Sequence, residues 1–335
     1  MDFDVAIIGG GSAGYAAASS AQALGAKVAI IDPGPLGGLC ILKGCMPTKA
    51  ILRSSDIMAL MRRAKEFGIQ TVNPQANLSA INDRKNKLIK EFADYRIGQL
   101  NDPRFTRIQE QAKFSSPHEI RIGDKTLKAK SFIIATGSVI ADYPVPGLEE
   151  TGFVTSDDIL KMREAPDSII VLGAGAVAVE LAQFLLRIGV KVTLLQRSEH
   201  ILSKGDEDLA RPVESCFREE GMDLYTSTKI LRAENKPEGS TIYFEHEGKE
   251  KKVCAQYILQ ALGRRPNIDS LQLESAKIET QKSCIPVDSK MKTNQPHIYA
   301  VGDVNGIHEV VHIAIQQGEI AGYNAINSEN ERELD

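Results

Sequence analysis

The sequence predicts an α/β protein built on two Rossmann-like dinucleotide-binding units. Two observations carry this. A glycine-rich segment recurs from Gly9 to Gly173, an offset of 164 residues, and each copy sits between apolar strands separated by a small-residue helix pattern. The composition, 42% hydrophobic and 25% charged over 335 residues, is that of a soluble globular chain of about two domains. It excludes disordered, collagen-like and mucin-like classes.

In the first copy Val5-Ala6-Ile7-Ile8 leads into Gly9-x-Gly11-x-x-Gly14, with Ser12 and Ala13 inside the turn. In the second, Ile169-Ile170-Val171-Leu172 leads into Gly173-x-Gly175-x-x-Ala178. Both break at a glycine, Gly25 and Gly189, and resume as a strand, Lys27 to Ile31 and Lys191 to Leu195. The first glycine allows the tight turn, the second lets a pyrophosphate approach the backbone, and the third (or Ala178) lets helix and strand pack closely. The helix N-terminus then offers free N–H groups to phosphate. A tight strand-to-helix turn alone can carry one such pattern; two copies with matching second strands imply two dinucleotides.

The second strands end differently. Asp32 lies 23 residues after Gly9, where a carboxylate bonds a ribose hydroxyl pair. The same offset from Gly173 gives Gln196, followed by Arg197. A guanidinium grips a 2′-phosphate that a carboxylate would repel, so the second site leans to NADP over NAD. The plainer reading makes Arg197 a solvated surface residue. Ser198, Ser203 and Lys204 are lesser phosphate candidates.

Five cysteines are too few for a disulfide scaffold, but Cys40 and Cys45 sit five positions apart in Gly37-Gly38-Leu39-Cys40-Ile41-Leu42-Lys43-Gly44-Cys45-Met46-Pro47-Thr48-Lys49. Pro47 and Ala50-Ile51-Leu52 read as a helix start, which puts Cys45 at or in the first turn, where a thiolate is favoured. Lys49 is one turn further on the same face. The pair is either two small packing residues or a redox couple able to take up two electrons beside a flavin. The two dinucleotide units and the flanking glycines, proline and lysine favour the couple. No second ligand pair supports zinc, and no metal is expected. Cys216, Cys254 and Cys284 read as buried packing residues.

The segment from Gly37 to Lys49 resembles the active-site disulfide of the FAD-dependent pyridine nucleotide-disulfide oxidoreductases, the dihydrolipoamide dehydrogenase, glutathione reductase and mercuric reductase family. The resemblance covers almost the whole chain. Glu110 to Phe114, including Ala112, is similar to the strand at the adenine end of FAD; Ile133-Ile134-Ala135-Thr136-Gly137-Ser138 to the Ala-Thr-Gly stretch leaving the flavin domain; Ala261 to Asn267, with Gly263 and Arg264, to the exit from the nicotinamide domain; and Ile298 to Asp303, with Gly302, to the second flavin motif, whose aspartate bonds the ribityl chain. Gly38 and Val311 fall at further flavin-contacting positions.

The resemblance implies two three-layer domains with the FAD domain discontinuous: residues 1–147 as its first part, 148–268 as the NAD(P) domain, and 269–335 as its second part. Pro144-Val145-Pro146-Gly147 reads as a stiff connection. Residues 52–100 read as two charge-rich helices broken at Asn73-Pro74, their Lys and Arg cluster a solvated face. By resemblance Cys45 is the thiol next to the flavin, Cys40 exchanges with a disulfide or dithiol substrate, Lys49 sits by the flavin, and Glu180 pairs with it from the first turn of the nicotinamide helix. For Glu180 the plainer reading is a carboxylate favoured there by the helix dipole.

Leu39 and Leu42-Lys43 depart from the family's usual residues, which bears on substrate more than on chemistry. The family's C-terminal interface domain, which makes the homodimer and supplies a His-Glu base, is not expected in this chain; His308 and His312 do not match that base. The activity implied is a dihydrolipoamide dehydrogenase-like FAD and NAD(P)H disulfide oxidoreductase, with a mercuric reductase-like enzyme or a non-turnover redox-sensing module as alternatives. A net charge of −4 and the lack of a long apolar run suggest neither nucleic acid nor membrane as partner, and a cytoplasmic location is the default.

Overall fold

The computed structural model describes residues 1–334. In chain order the elements are β1 (Phe3–Ile8), α1 (Ser12–Ala23), β2 (Val28–Ile31), α2 (Gly38–Leu42), α3 (Cys45–Arg62), α4 (Leu78–Leu100), β3 (Phe105–Ile108), β4 (Ala112–Ser116), β5 (Glu119–Ile122), β6 (Lys125–Ile134), β7 (Ser138–Ile140), α5 (Ser156–Ile159), β8 (Ser168–Leu172), α6 (Ala176–Arg187), β9 (Lys191–Leu195), α7 (Glu207–Glu219), β10 (Asp223–Tyr225), β11 (Lys229–Lys236), β12 (Gly239–His246), β13 (Lys249–Ala255), β14 (Tyr257–Gln260), β15 (Arg264–Pro266), β16 (Ile298–Ala300) and α8 (Val311–Asn324). Short 3-10 turns fill some of the connections. Contacts divide the chain into two compact units: residues 1–44, 90–140 and 264 onward, and residues 45–89 with 141–263.

The first unit is a sheet in the order β3-β2-β1-β6-β5-β4, with β16 also paired to β6. β1 runs parallel to both neighbours, with Ile7 opposite Ile30 on one side and Ile133 on the other. Val5 to Ile8 are at most 3% exposed, so both faces are covered and the strand reads as an unbroken apolar run. Alternation still decides which core each residue enters. Val5 and Ile7 pack with Ala13, Ala17 and Ala321; Ala6 and Ile8 pack with Phe114, Ile120 and Phe132.

α8 lies directly on the backbone of α1. A Cβ at Gly318 would stand 2.3 Å from the Ala13 carbonyl oxygen, and one at Gly322, a turn later, 2.3 Å from that of Ala17. Ala13, Ala17 and Ala21 complete the small-residue seam and are buried. The long-range partner of the Ala-rich α1 pattern is thus a Gly-x-x-x-Gly pattern some 300 residues later (Gly318 less Ala13 is 305).

The second unit repeats the arrangement in a parallel sheet ordered β10-β9-β8-β14. Ile169 and Val171 of β8 enter a core with Ala178, Leu181 and Phe184 of α6, while Ile170 and Leu172 meet Ala233, Ile242 and Phe244 from the antiparallel sheet β11-β12-β13. Ile51 of α3 and Leu78 of α4 belong to the α6 core, which is why residues 45–89 group with this unit. The boundary falls at Ile140, ahead of the proline-rich stretch. Val145 and Leu148 are buried in the second unit's core, and a Cβ at Gly147 would meet the Ala233 carbonyl oxygen at 2.2 Å.

The basic cluster on α4 is only in part a solvated face. Lys85 is 6% exposed, its ammonium donates to the Leu160 carbonyl, and burial pushes its pKa down. No helix among the described residues is long and apolar enough to cross a membrane.

The α1–α8 seam makes a sharp contrast with the last turn of α4. Gly318→Ala is expected to cost about 1–3 kcal/mol, because backbone must move to admit the methyl. Gly98→Ala, where nothing stands within 4 Å of a new Cβ, is expected to add about 0.5–1 kcal/mol. Urea denaturation monitored by circular dichroism reads both; equal effects of one sign would show that the seam is not close-packed.

Candidate functional site

Both glycine loops leave the C-terminal end of a central strand. Gly9 has φ +112° and a Cβ there would fall 2.3 Å from the Ala135 carbonyl oxygen; Gly173 has φ +97° and the corresponding distance to the Ala261 oxygen is 2.5 Å. Each first glycine therefore lies against the chain just past a neighbouring strand, β6 or β14. Ala135 and Ala261 are equivalent in this respect, although they lie outside the repeated segment and the sequence comparison did not pair them. A Cβ at Gly14 would meet the Gly9 oxygen at 1.9 Å, and Ala178 is fully buried, so the third position is set by packing.

α1 and α6 both begin after a glycine in extended conformation, Gly11 and Gly175, with no side-chain cap and no acidic residue in the first turn. The short α5, by contrast, carries a full Thr155–Asp158 capping box. α7 and α8, like α1 and α6, lack a side-chain N-cap bond, so what sets α1 and α6 apart is the glycine at the N-cap, which leaves the first-turn N–H groups of Ser12, Ala13 and Gly14 open to approach. A Cβ at Gly175 would meet nothing within 4 Å, and one at Gly11 would meet only the Gly38 Cα, at 3.8 Å. These open second positions, together with the sealed and unbonded Thr136 hydroxyl next to Ala135, fit a dinucleotide on each loop.

The two strand ends keep their predicted difference. Asp32 accepts from the Gly10 amide at 2.5 Å and the Gly34 amide at 2.7 Å, which ties the first loop to the end of β2. Gln196 is buried, and its amide nitrogen lies 3.4 Å from both the His200 carbonyl and the Ser203 hydroxyl. Arg197 is exposed and makes no hydrogen bond or ion pair among the described residues.

The thiol segment forms two helices. Cys40 is half-buried in the one-turn α2, and Cys45 is exposed as the first residue of α3, with Pro47 buried in its first turn. Gly38 begins α2 at φ +76°, and a Cβ there would lie 2.7 Å from the Gly11 Cα, so α2 starts against the first loop's backbone. Within the second unit, Lys49 and Glu180 form an ion pair at 2.5 Å. Glu180 is the fifth residue of α6, one turn later than the sequence reading placed it, because the helix opens at Ala176. Dipole stabilisation in the first turn therefore does not account for it. The pair is open to solvent, with side chains 59% and 28% exposed.

Asp303 accepts from the Ser138 hydroxyl at 2.6 Å, and Ser138 in turn receives the Arg264 guanidinium at its hydroxyl (2.9 Å) and its carbonyl (2.8 Å). Arg264 thus belongs to the first unit, where β15 pairs with β7, and acts on the aspartate through Ser138. Ser138 was visible only as the residue after Ala-Thr-Gly. Gln317 was not singled out at all: it is fully buried and its oxygen accepts from the Gly302 amide at 2.7 Å and the Asn305 side chain at 2.9 Å, fixing the turn that carries Asp303. Gly137, Gly263 and Gly302 all have positive φ. Ala112 is a core residue of β4, and Val311 opens α8.

The other three cysteines are not buried as expected. Cys216 and Cys284 are half-buried and Cys254 is exposed, since β13 is largely solvent-facing over its length. Burial and the Glu220 carboxylate push the Cys216 thiol above its ordinary pKa, the reverse of what a reactive thiol needs. His308 and His312 are exposed. No group of three or more His, Cys, Asp or Glu side chains suited to a metal occurs among the described residues.

The family described as pyridine nucleotide-disulphide oxidoreductase matches residues 3–318. A mercuric reductase of Staphylococcus aureus is 33% identical over 97% of the chain, which covers 60% of that protein. A dihydrolipoyl dehydrogenase of Bacillus subtilis is 33% identical over 96% of the chain, covering 71% of that protein. The chain spans between 53% and 61% of the length of the mercuric reductases it matches. Among solved structures, the HOCl-induced flavoprotein disulfide reductase RclA of Escherichia coli superposes with a TM-score of 0.85 at 26% identity, over 98% of this chain and 72% of that one.

The solvent-exposed Lys49–Glu180 pair bears little of the fold's stability. Glu180→Gln is expected to change the free energy of unfolding by less than about 1 kcal/mol in urea titrations. A loss several times larger would mean that the pair, and not the apolar contact of Ile51 with the α6 core, joins α3 to α6.

Proposed function

The chain belongs to the pyridine nucleotide-disulphide oxidoreductase family, and on that premise we propose that it is an FAD-dependent NAD(P)H:disulfide oxidoreductase, dihydrolipoamide dehydrogenase-like in its chemistry. The observation that carries this reading is the doubled, uncapped Gly-to-helix turn together with a cysteine at the start of α3 and another in α2. In this reading the first unit holds FAD through Gly9, Gly11, Ser12, Ala13, Gly14, Asp32 and Asp303. The second holds the nicotinamide dinucleotide through Gly173, Gly175, Ala178 and Arg197. FAD held in the first unit would supply two-electron chemistry between the nicotinamide and a disulfide of Cys40 and Cys45.

The chain's own groups then do thiol chemistry. The Cys40 thiolate attacks one sulfur of a substrate disulfide; an S–S bond to Cys40 forms and one thiol leaves with a proton. The Cys45 thiolate attacks the Cys40 sulfur, re-forming the intramolecular disulfide and releasing the second thiol. The N-terminal position of Cys45 on an 18-residue helix favours its thiolate. Lys49, held by Glu180 one turn along, supplies a fixed positive charge on the same face. The exposed, unbonded Arg197 supports a preference for NADP. Equal identity to mercuric reductase and dihydrolipoyl dehydrogenase leaves the substrate to the site's own chemistry.

The test is an anaerobic titration of FAD-loaded protein with NADPH and with NADH, recorded in the visible. A long-wavelength shoulder is expected in the wild type and not in Cys45→Ser; its absence from the wild type would overturn the reading. Arg197→Ala is expected to weaken NADPH by about tenfold, the loss of a charge-assisted phosphate contact, while leaving NADH nearly unchanged. Equal weakening of both would remove the NADP assignment.

A further inference from the structure

Two histidines meet face to face in the first unit. His118 stands at the tip of the β4–β5 hairpin, and His297 immediately precedes β16. Their rings are stacked, with centroids 4.0 Å apart and planes 15° from parallel. His118 is exposed and His297 half-buried. The contact ties the hairpin tip to the sheet. The His297 carbonyl accepts from the Phe132 amide of β6 at 2.9 Å, while the ring Nε2 lies 2.7 Å from the Pro117 carbonyl oxygen.

That hydrogen bond fixes the tautomer. A carbonyl only accepts, so Nε2 of His297 carries the proton and Nδ1 is left to take up a second one. The second proton would charge a ring already covered by another imidazole. Burial, and to a lesser extent His118, hold the His297 pKa below its ordinary value, and the Pro117 carbonyl opposes them. No carboxylate acts on the pair. Glu119, the hairpin's own, is engaged by the Ser115 hydroxyl at 2.8 Å and by Lys128 of β6 at 3.5 Å. On the neighbouring strand Asp4 is held by Lys130, and Asp2 accepts from the Lys128 amide. The chain ahead of His297, Asn294-Gln295-Pro296, is uncharged. The neutral pair therefore stabilises the fold fully above the ordinary histidine range, and that contribution is lost as pH falls through the lowered pKa of His297.

The hairpin shares its core with the loops assigned to the flavin. Phe114 and Ile120 pack in one cluster with Ile8, which precedes Gly9, and with Val304, which follows Asp303. We propose that the His118–His297 stack is a proton-released latch: protonation parts the rings, frees the tip of the β4–β5 hairpin and loosens the first unit's hold on FAD. The proposal rests on the assignment of FAD to the first unit and adds a regulation of that site by pH.

The test compares the full chain at about pH 7.5 and about pH 5.5, on either side of the ordinary histidine value. Hydrogen exchange read by mass spectrometry, corrected for the intrinsic effect of pH, reports the latch. Peptides covering residues 112–122 are expected to exchange faster at the lower pH, by up to about tenfold for each unit by which the pKa is lowered, while those covering Val5 to Ile8 do not change. His297→Gln keeps a donor for the Pro117 carbonyl without a titrating ring, and His118→Phe keeps the stack without its second charge. The double variant should lose the pH effect on the hairpin, with melting temperatures at the higher pH reporting that it folds. Release of FAD, followed by the return of free-flavin fluorescence on dilution, is expected to accelerate at the lower pH in the wild type and not in the double variant. A hairpin whose exchange ignores pH in the wild type, or keeps its full pH effect in the folded double variant, would overturn the proposal. So would a hairpin that loosens while the release of FAD stays constant. Hydrogen exchange needs no flavin, so failure of the latch is separate from failure of the chain to take up FAD.

Discussion

The first glycine of each loop is the constraint on which the rest depends. At Gly9 and Gly173 the space a side chain would take is already occupied by a carbonyl oxygen, that of Ala135 or Ala261. The turn can only be made by a residue without a Cβ, lying against the chain just past the adjacent strand. Making it there places the start of α1 and of α6 at the point where the strand order reverses, β2 and β3 on one side of β1 and β6 on the other, with the same layout around β8. In open parallel sheets that reversal leaves a crevice above the strand ends. The uncapped N–H groups of α1 and α6 stand at the strand ends because the glycine turn puts them there.

The two loops then differ in how far the protein itself completes them. The first is built in: Asp32 ties the Gly10 and Gly34 amides, and Gly38 brings the start of α2 against Gly11. The second stays open, with no protein atom within 4 Å of a Cβ at Gly175 and with Arg197 unbonded at the strand end. A closed-in loop suits a resident cofactor, which need not leave. An open one suits a dinucleotide that arrives and departs at each turnover. The asymmetry supports the assignment of FAD to the first unit and the nicotinamide to the second, independently of the Asp32-to-Gln196 exchange.

The sequence made local features legible and long-range ones obscure. The strands, the glycine turns, the helix starting near Cys45 and the break at Asn73-Pro74 could be read because each is specified by adjacent residues. The Lys49–Glu180 pair was anticipated through family resemblance, although its place on α6 was taken one turn early. The seam of Gly318 and Gly322 against Ala13 and Ala17 could not be read, since its halves lie at opposite ends of the chain. The same holds for Gln317 beneath Gly302, and for Ser138 between Asp303 and Arg264. The burial of Cys254 was misjudged because it follows from which face of β13 is solvated, and residue type does not report that.

Charge placement separates what stabilises this fold from what is left for chemistry. Arg187, a mostly buried cation, is answered by Glu220 at 2.6 Å and Asp56 at 2.7 Å. Glu214, 6% exposed, accepts from the Ile201 amide and pairs with Arg211. Lys85 is answered by a carbonyl. In each case the cost of burial is offset by partners with good geometry. Arg96 is the only cation among the described residues with sealed donors that meet no acceptor. A fold that satisfies its other buried charges and leaves this one open beside a cavity breaks its own rule locally, and an unanswered buried donor of this kind calls for an explanation that the internal packing does not supply.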